Sequence, residues 1–398
     1  MISDFEKKTI KSILKKRHII FVCIMTALIF VMRIILFNFK SADYTMYLLP
    51  WYEKISNLGK ITALKRQIGD YSILYQFIIS VLTYININPL YLYKFVSVFF
   101  DFVLAFFSAK LITSINNEIT FSKPYILVMI LPTVIFNSSM WAQSYSIYVS
   151  FLIISLWLLY KREYVFSFIF IGVAIACKFQ AILLLPFYIL VYLIRKDFSI
   201  SYFLLSLISI YFCNLPGFIA GRSLLAPFEI YKNQTVEFKG LFFNLYNFST
   251  LFFDATRSLS LNNYVMLRNW LILLTIIILL IGYYVFFDKL TDFTLTSVAF
   301  LEIATWSYWT CIMFLPEMHE RYAYFVDIVL LLLSINNQKI LPIAIVSVLG
   351  SFVGYLKFLL NINYGSSFKY LMAIAEFIVY IYFSQIVLSR KIERAKNE

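Results

Sequence analysis

Five short stretches hold the residues able to do chemistry. Asp43 opens the first, SADYTMYLLPWYEKISNLGKITALKRQIGDYSILYQF, just past the first long apolar run. A carboxylate held at the end of a rigid helix suits a general base; an ordinary loop carboxylate is the plainer reading. Pro50, Trp51 and Tyr52 follow as an interfacial aromatic anchor, and Asp70 and Tyr71 come later in the same stretch. The second stretch, NSSMWAQSYSIY (137–148), sets Asn137, Ser138, Ser139, Gln143, Ser144 and Ser146 beside Trp141, Tyr145 and Tyr148. Amides and hydroxyls there could bind sugar hydroxyls while a ring stacks on the sugar; a plain polar turn would have the same composition.

The third stretch, CKFQAILLLP (177–186), places Lys178 and Gln180 between apolar runs. A lysine so placed is usually paired or faces a wet cavity. It could hold a phosphate as a point charge, or it could snorkel from a helix end. The fourth, LPEMHERYAYF (315–325), packs Glu317, His319, Glu320 and Arg321 together. Arg321 is a plausible phosphate fork, and His319 a hydrogen-bonding or proton-handling group. HExxH is absent and the chain has only two histidines, which argues against a metalloprotease. The fifth, AGRSLLAPFEIYKNQTVEFKGLFFNLYNFSTLF (220–252), brings Arg222, Gln234 and repeated Asn-Tyr pairs. These suit carbohydrate or headgroup contact, or simply a structured loop.

The elements that must position these groups are membrane spans. Of 398 residues, 62% are hydrophobic and only 14% charged, against about 45–50% and 25% in soluble domains. That balance excludes a soluble enzyme, a disordered chain and a nucleic-acid-binding domain. The net charge of +13 reads as a topology signal and an anionic-lipid contact. Cys23, Cys177, Cys213 and Cys311 are scattered in apolar segments with no CxxC spacing, so neither zinc nor a disulfide framework is implied.

Hydropathy predicts twelve spans, near 18–37, 90–113, 124–140, 146–160, 164–180, 181–195, 200–217, 264–287, 293–313, 322–336, 339–360 and 368–388. Both termini then face the cytoplasm, with the short loops that carry Lys110/Lys123, Lys161/Arg162, Arg195/Lys196, Lys289 and Lys339 on the same side, as the positive-inside rule requires. Residues 71–86 look like a further span, but counting them as one would invert every later loop. They are expected to form an interfacial helix on the outer leaflet. Regions 38–89 and 218–263 then become the long external segments of a single domain covering 1–398.

The motifs SADYTMYLLPWYEKI with GDYSILYQF, NSSMWAQSYSIYVSF, KFQAILLLPF, AGRSLLAPFEIYKNQ with LYNF, and PEMHERYAYF occur in this order over most of the chain. This set resembles the bacterial membrane mannosyltransferase-like proteins related to the eukaryotic GPI-anchor second mannosyltransferase. The resemblance implies an all-α C-type glycosyltransferase (GT-C) fold, a polyprenyl-phosphate-linked sugar donor, transfer on the extracytoplasmic face, and inversion at the anomeric carbon. It maps the catalytic base onto Asp43 and makes an interfacial helix in the first external loop typical. One position departs. The family-like pattern Trp-Gly-Gln-x-Asp reads Trp141-Ala142-Gln143-Ser144-Tyr145 here, so Tyr replaces an acid that would bind an acceptor or a metal.

The expectation is therefore a hexosyltransferase of the bacterial cytoplasmic membrane, with Asp43 as base. Lys178, Arg321, His319 and Arg222 would face the donor phosphate. Trp51, Asp70, Tyr71, Asn137 and Trp141 would meet the sugar or acceptor, together with Gln143, Tyr145, Gln180, Gln234 and Glu320. Its partners would be the lipid-linked donor, a glycan or lipid-linked acceptor and membrane lipid, with no nucleic acid. No cofactor is expected: a divalent ion prefers several hard oxygen ligands, and no second carboxylate is evident. Two other functions share the broad features. A polysaccharide polymerase or ligase using lipid-pyrophosphate oligosaccharides would rely on external arginines. A lipid-linked sugar flippase should place polar groups near the bilayer midplane, often with repeat symmetry.

Overall fold

The computed structural model describes residues 6, 11, 16–237, 240–253, 260–287 and 297–389, and of 233–237 the backbone alone. The first apolar run forms α1 (Arg17–Ile35), prolonged by a 3-10 turn over Leu36–Asn38. A π-helical turn (Tyr44–Leu48) follows Asp43 and leads into α2 (Leu49–Asn57), whose Pro50 sits in the first turn, where a missing N–H costs nothing. A 3-10 segment (Lys60–Lys65) leads to α3 (Ile73–Leu82), capped by Ser72 Oγ, which accepts from Tyr75 N at 3.2 Å. At ten residues α3 rises about 15 Å, half the thickness of the hydrocarbon core. In its shortness it is like the other apolar helices of 10–17 residues. Asn88 and Pro89 then start α4 (Pro89–Ile115), with Asn88 Oδ1 accepting from Leu90 N at 3.0 Å.

The run expected at 124–140 is broken. α5 (Ser122–Ile130) and α6 (Pro132–Ile135, continued by a π turn over Phe136–Met140) meet at 58°. Pro132 is the cause: Leu131 before it is extended, as a residue preceding proline must be. α7 (Tyr145–Tyr160), α8 (Tyr164–Cys177), a 3-10 segment (Phe179–Leu184), α9 (Leu185–Arg195), α10 (Tyr202–Cys213) and α11 (Leu215–Ile219) follow. α12 (Ala226–Glu237), β1 (Phe242–Phe243) and α13 (Phe248–Phe252) come next in the chain. The chain closes with α14 (Leu261–Phe287), α15 (Val298–Phe314), β2 (Met318–His319), a 3-10 turn (Glu320–Ala323), α16 (Tyr324–Asn336), α17 (Leu341–Leu360) and α18 (Gly365–Leu388). β1 and β2 pair in parallel, Phe242 opposite Met318 and Phe243 opposite His319.

By length and apolarity, five helical segments can cross a membrane among the described residues: Arg17–Asn38, Pro89–Ile115, Leu261–Phe287, Gln338–Leu360 and Gly365–Leu388. The bent α5–α6 pair makes a sixth. Shorter apolar helices occupy most of the other runs expected to span. The expected residues 293–296, the Lys289 loop and the C-terminal Arg390, Lys391, Arg394 and Lys396 lie outside the described residues. On α14, Trp270, Leu280, Ile281 and Tyr284 are mostly exposed, an apolar surface that water would penalise and lipid would not. α15 is buried around its whole circumference, which marks the centre of a helical assembly. It packs against α9, α14, α16 and α18, while α4, α7, α8 and α10 stack side by side. The fold is that of a helical, multi-pass membrane protein.

Candidate active site

Asp43 is the point of convergence. Its Oδ2 accepts from Trp141 Nε1 at 2.8 Å, Gln143 Nε2 at 2.7 Å and Arg321 Nη1 at 2.9 Å. Its Oδ1 accepts from no described group, and the side chain keeps 15% exposure. One oxygen is therefore pinned and the other is left for a ligand. The segment carrying Asp43 is fixed by Ser41, whose Oγ accepts from Tyr44 N at 3.1 Å and donates to the Trp141 carbonyl at 3.2 Å.

The backbone of the 137–146 stretch aims the two side chains that reach Asp43. Trp141 N donates to Phe136 O at 2.9 Å, Ala142 N to Ser138 O at 3.2 Å and Gln143 N to Asn137 O at 2.9 Å. Ala142 takes a left-handed φ of 63°, a conformation glycine adopts far more readily. The reversal lets Trp141 and Gln143 approach the same carboxylate oxygen. Gln143 Oε1 in turn accepts from Tyr71 Oη at 3.0 Å. Trp141 is fully buried, with Phe358 stacked at 4.7 Å and the Arg321 guanidinium 4.7 Å from its ring centre. Its ring faces are thus taken by protein, and it meets Asp43 rather than a sugar ring. Asn137 is also fully buried and donates to Tyr355 Oη at 3.4 Å. It serves the framework.

Two cations flank the carboxylate. Lys178 stands in the break between α8 and the 3-10 segment after it, because Lys178 itself is extended and ends α8. Its ammonium lies 3.9 Å from the Tyr145 ring centre and 4.9 Å from that of Tyr71, and no described group accepts a hydrogen bond from it. Tyr145 presents its ring to both cations: Arg321 lies 5.8 Å from the ring centre. Cation–π attraction favours both charges at this ring.

Arg321 also pairs with Glu320 at 3.1 Å, and that carboxylate is 2% exposed. Burial raises the Glu320 acid, while Arg321 opposes the rise. Arg321 Nη2 donates to no described group. His319 stacks on Phe243 at 4.6 Å within the β1–β2 pair. Burial, helped by Arg321 and Lys178, pushes its imidazole down to about 3. It is neutral at physiological pH and can offer one N–H or one lone pair, not a positive charge.

The remaining expected residues divide. Trp51 meets Tyr71 edge-on at 5.3 Å, and Gly69, with φ +75°, lies so close that a Cβ would come 2.5 Å from the Trp51 ring. Trp51 therefore props Tyr71. Asp70 lies close enough to Lys178 to favour its charge, and Gln180 lies against the Tyr322 hydroxyl. Arg222 stands apart from this cluster. It donates to the carbonyls of Leu64 and Arg66 at 2.5 and 2.6 Å and to the amide oxygens of Gln67 and Gln76 at 2.5 and 2.6 Å. The expectation that it faces a phosphate gives way to a brace between the 220–252 stretch and residues 64–76. Gln234 has its side chain outside the described residues.

Among the described residues, no group of three or more His, Cys, Asp or Glu side chains comes together to hold a metal. Compared with family models, curated proteins and solved structures, the chain matches none. What fold and site define is a multi-pass helical membrane protein with a half-accessible carboxylate set between two cations. Reading the sequence missed Lys94, Ser97, Ser41 and Phe358. For the first two a signal existed, since polar residues recur on one face of an otherwise apolar helix.

Proposed function

We propose that this protein is a membrane hexosyltransferase of GT-C type, with twelve crossings and α3 lying along the outer leaflet. It uses a polyprenyl-phosphate-linked donor on the extracytoplasmic face of a bacterial membrane. The observation that carries the proposal is the geometry at Asp43: three donors fix Oδ2, Oδ1 is open, and a ring-caged ammonium and a free guanidinium nitrogen lie alongside. In the proposed reaction Asp43 Oδ1 takes the proton of an acceptor hydroxyl. The hydroxyl oxygen forms a bond to the anomeric carbon as the carbon–phosphate-oxygen bond breaks on the opposite face, and the electron pair leaves with the lipid phosphate. Lys178 and Arg321 Nη2 stabilise the charge that grows there, and neutral His319 supplies a hydrogen bond. Tyr71 and Gln143 keep Asp43 in register. The mannosyl resemblance makes mannose the first sugar to try.

Purified protein in lipid nanodiscs, supplied with radiolabelled polyprenyl-phosphate mannose or glucose and a membrane-glycan extract, tests this. Label should pass to the glycan fraction and lipid phosphate should be released. Protein that instead consumes only lipid-pyrophosphate oligosaccharides would be a polymerase or ligase.

A further inference from the structure

Lys94, Ser97 and Asp101 recur along α4 at intervals of three and four, which places them on one face. All three are buried, in a helix apolar enough to cross a membrane. Each grips a different part of the site's framework. Lys94 Nζ donates to three carbonyls at the end of the first helix: Leu36 at 2.9 Å, Phe37 at 2.9 Å and Phe39 at 2.6 Å. Ser97 Oγ donates to the Gln143 carbonyl at 2.8 Å, and Ser146 Oγ donates back to the Ser97 carbonyl at 2.9 Å. Asp101 accepts from Arg33 of α1 and from Ser138 Oγ, the latter at 2.5 Å.

Polar groups in a bilayer are costly and persist where they have a task. The last carbonyls of a helix have no partners within it, and a cation there also meets the negative end of the helix dipole. Lys94 answers both needs at the point where the chain turns from α1 towards Asp43. Ser97, one turn on, holds the residue whose side chain donates to Asp43. Tyr93 adds a further grip, donating from Oη to the Leu48 carbonyl at 3.0 Å just beyond Asp43.

We propose that this stripe is a positioning template. It sets the Asp43 segment and the 141–146 segment in register, with Lys94 as its principal member. Lys94 touches no reacting group; it acts through the backbone that carries Asp43. The kinetic half of this inference rests on the transferase reading, whereas the structural half does not.

The test uses full-length protein carrying Lys94→Met, Lys94→Arg or Ser97→Ala, with polyprenyl-phosphate mannose as the probe and backbone deuterium exchange as a second readout. Displacing a catalytic group by about 1 Å can cost about 10²-fold. Lys94→Met should lower kcat by about that factor with donor KM changed less than about threefold, and should speed exchange over 36–48. Lys94→Arg, which keeps the charge and donors, should restore kcat to within about tenfold of wild type. Ser97→Ala should raise exchange over 141–146 and lower kcat more mildly. Folded Lys94→Met with wild-type exchange over 36–48, or with wild-type kcat, overturns the proposal. If Lys94→Met does not fold, Ser97→Ala decides: unchanged exchange and kcat overturn it, and altered values support it. Wild-type protein that turns over no lipid-phosphate hexose, together with faster exchange in Lys94→Met, defeats the transferase reading and leaves the template standing.

Discussion

Replacing Arg321 with glutamine should separate two roles that the geometry gives to one side chain. Its guanidinium donates to Asp43 at 2.9 Å and lies 3.1 Å from the buried Glu320 carboxylate. Removing one partner of a buried ion pair costs roughly 3–5 kcal/mol. Arg321 and Asp43 retain 15% exposure and Glu320 can take up a proton, so the loss should fall to about 2–3 kcal/mol. The double variant Glu320→Gln/Arg321→Gln removes the stranded acid and should recover about 1–2 kcal/mol, because neutral amides cost less to bury unpaired. Turnover should not recover. Asp43 still lacks its guanidinium donor, and the departing phosphate lacks a cation whose loss is expected to cost about 10²–10³-fold in kcat. Denaturant unfolding of the purified protein and initial transfer rates give both quantities on the same preparations. An Arg321→Gln protein as stable as wild type, or a double variant with restored turnover, would refute this reasoning.

The ammonium of Lys178, set against the Tyr71 and Tyr145 rings, is placed to hold the donor phosphate. Lys178→Met should therefore lower donor kcat/KM by about 10²–10³-fold, with Lys178→Arg losing less; unchanged kcat/KM in a folded Lys178→Met protein would contradict the assignment. Arg222→Lys should lower stability by about 1–3 kcal/mol through the lost grips on Leu64, Arg66, Gln67 and Gln76, with donor KM changed less than about threefold. A large KM rise at unchanged stability would return Arg222 to the phosphate. Turnover should survive excess EDTA, measured with and without added magnesium or manganese; loss with EDTA and recovery with either ion would show a missing ligand.

Helix positions were legible because hydropathy is a local property. The break at Pro132 was equally local, yet a window centred on 124–140 averages across it. The ten-residue α3 lies inside the apolar run 71–86, which hydropathy alone does not tell from a span. At the site, Asp43, Gln143 and Arg321 lie about 100 and 280 positions apart in sequence, and no periodicity joins them; only the ordered motif set pointed to their meeting. Burial was the poorest guide. Asn137 and Trp141 look like ligand contacts in a polar stretch, but a π turn and a left-handed Ala142 turn them inward. Arg222 and Lys94 escaped for a common reason: all three acceptors of Lys94 and two of the four of Arg222 are backbone carbonyls, which leave no mark on sequence.

Asp43→Asn tests the central claim most directly. The substitution keeps shape and removes the base, and loss of a general base costs about 10²–10⁴-fold. Purified Asp43→Asn protein, matched to wild type in unfolding midpoint and given polyprenyl-phosphate hexose, should bind donor with little change in affinity and transfer its sugar at least about 10²-fold more slowly. Near-normal transfer by a folded Asp43→Asn protein would contradict the account.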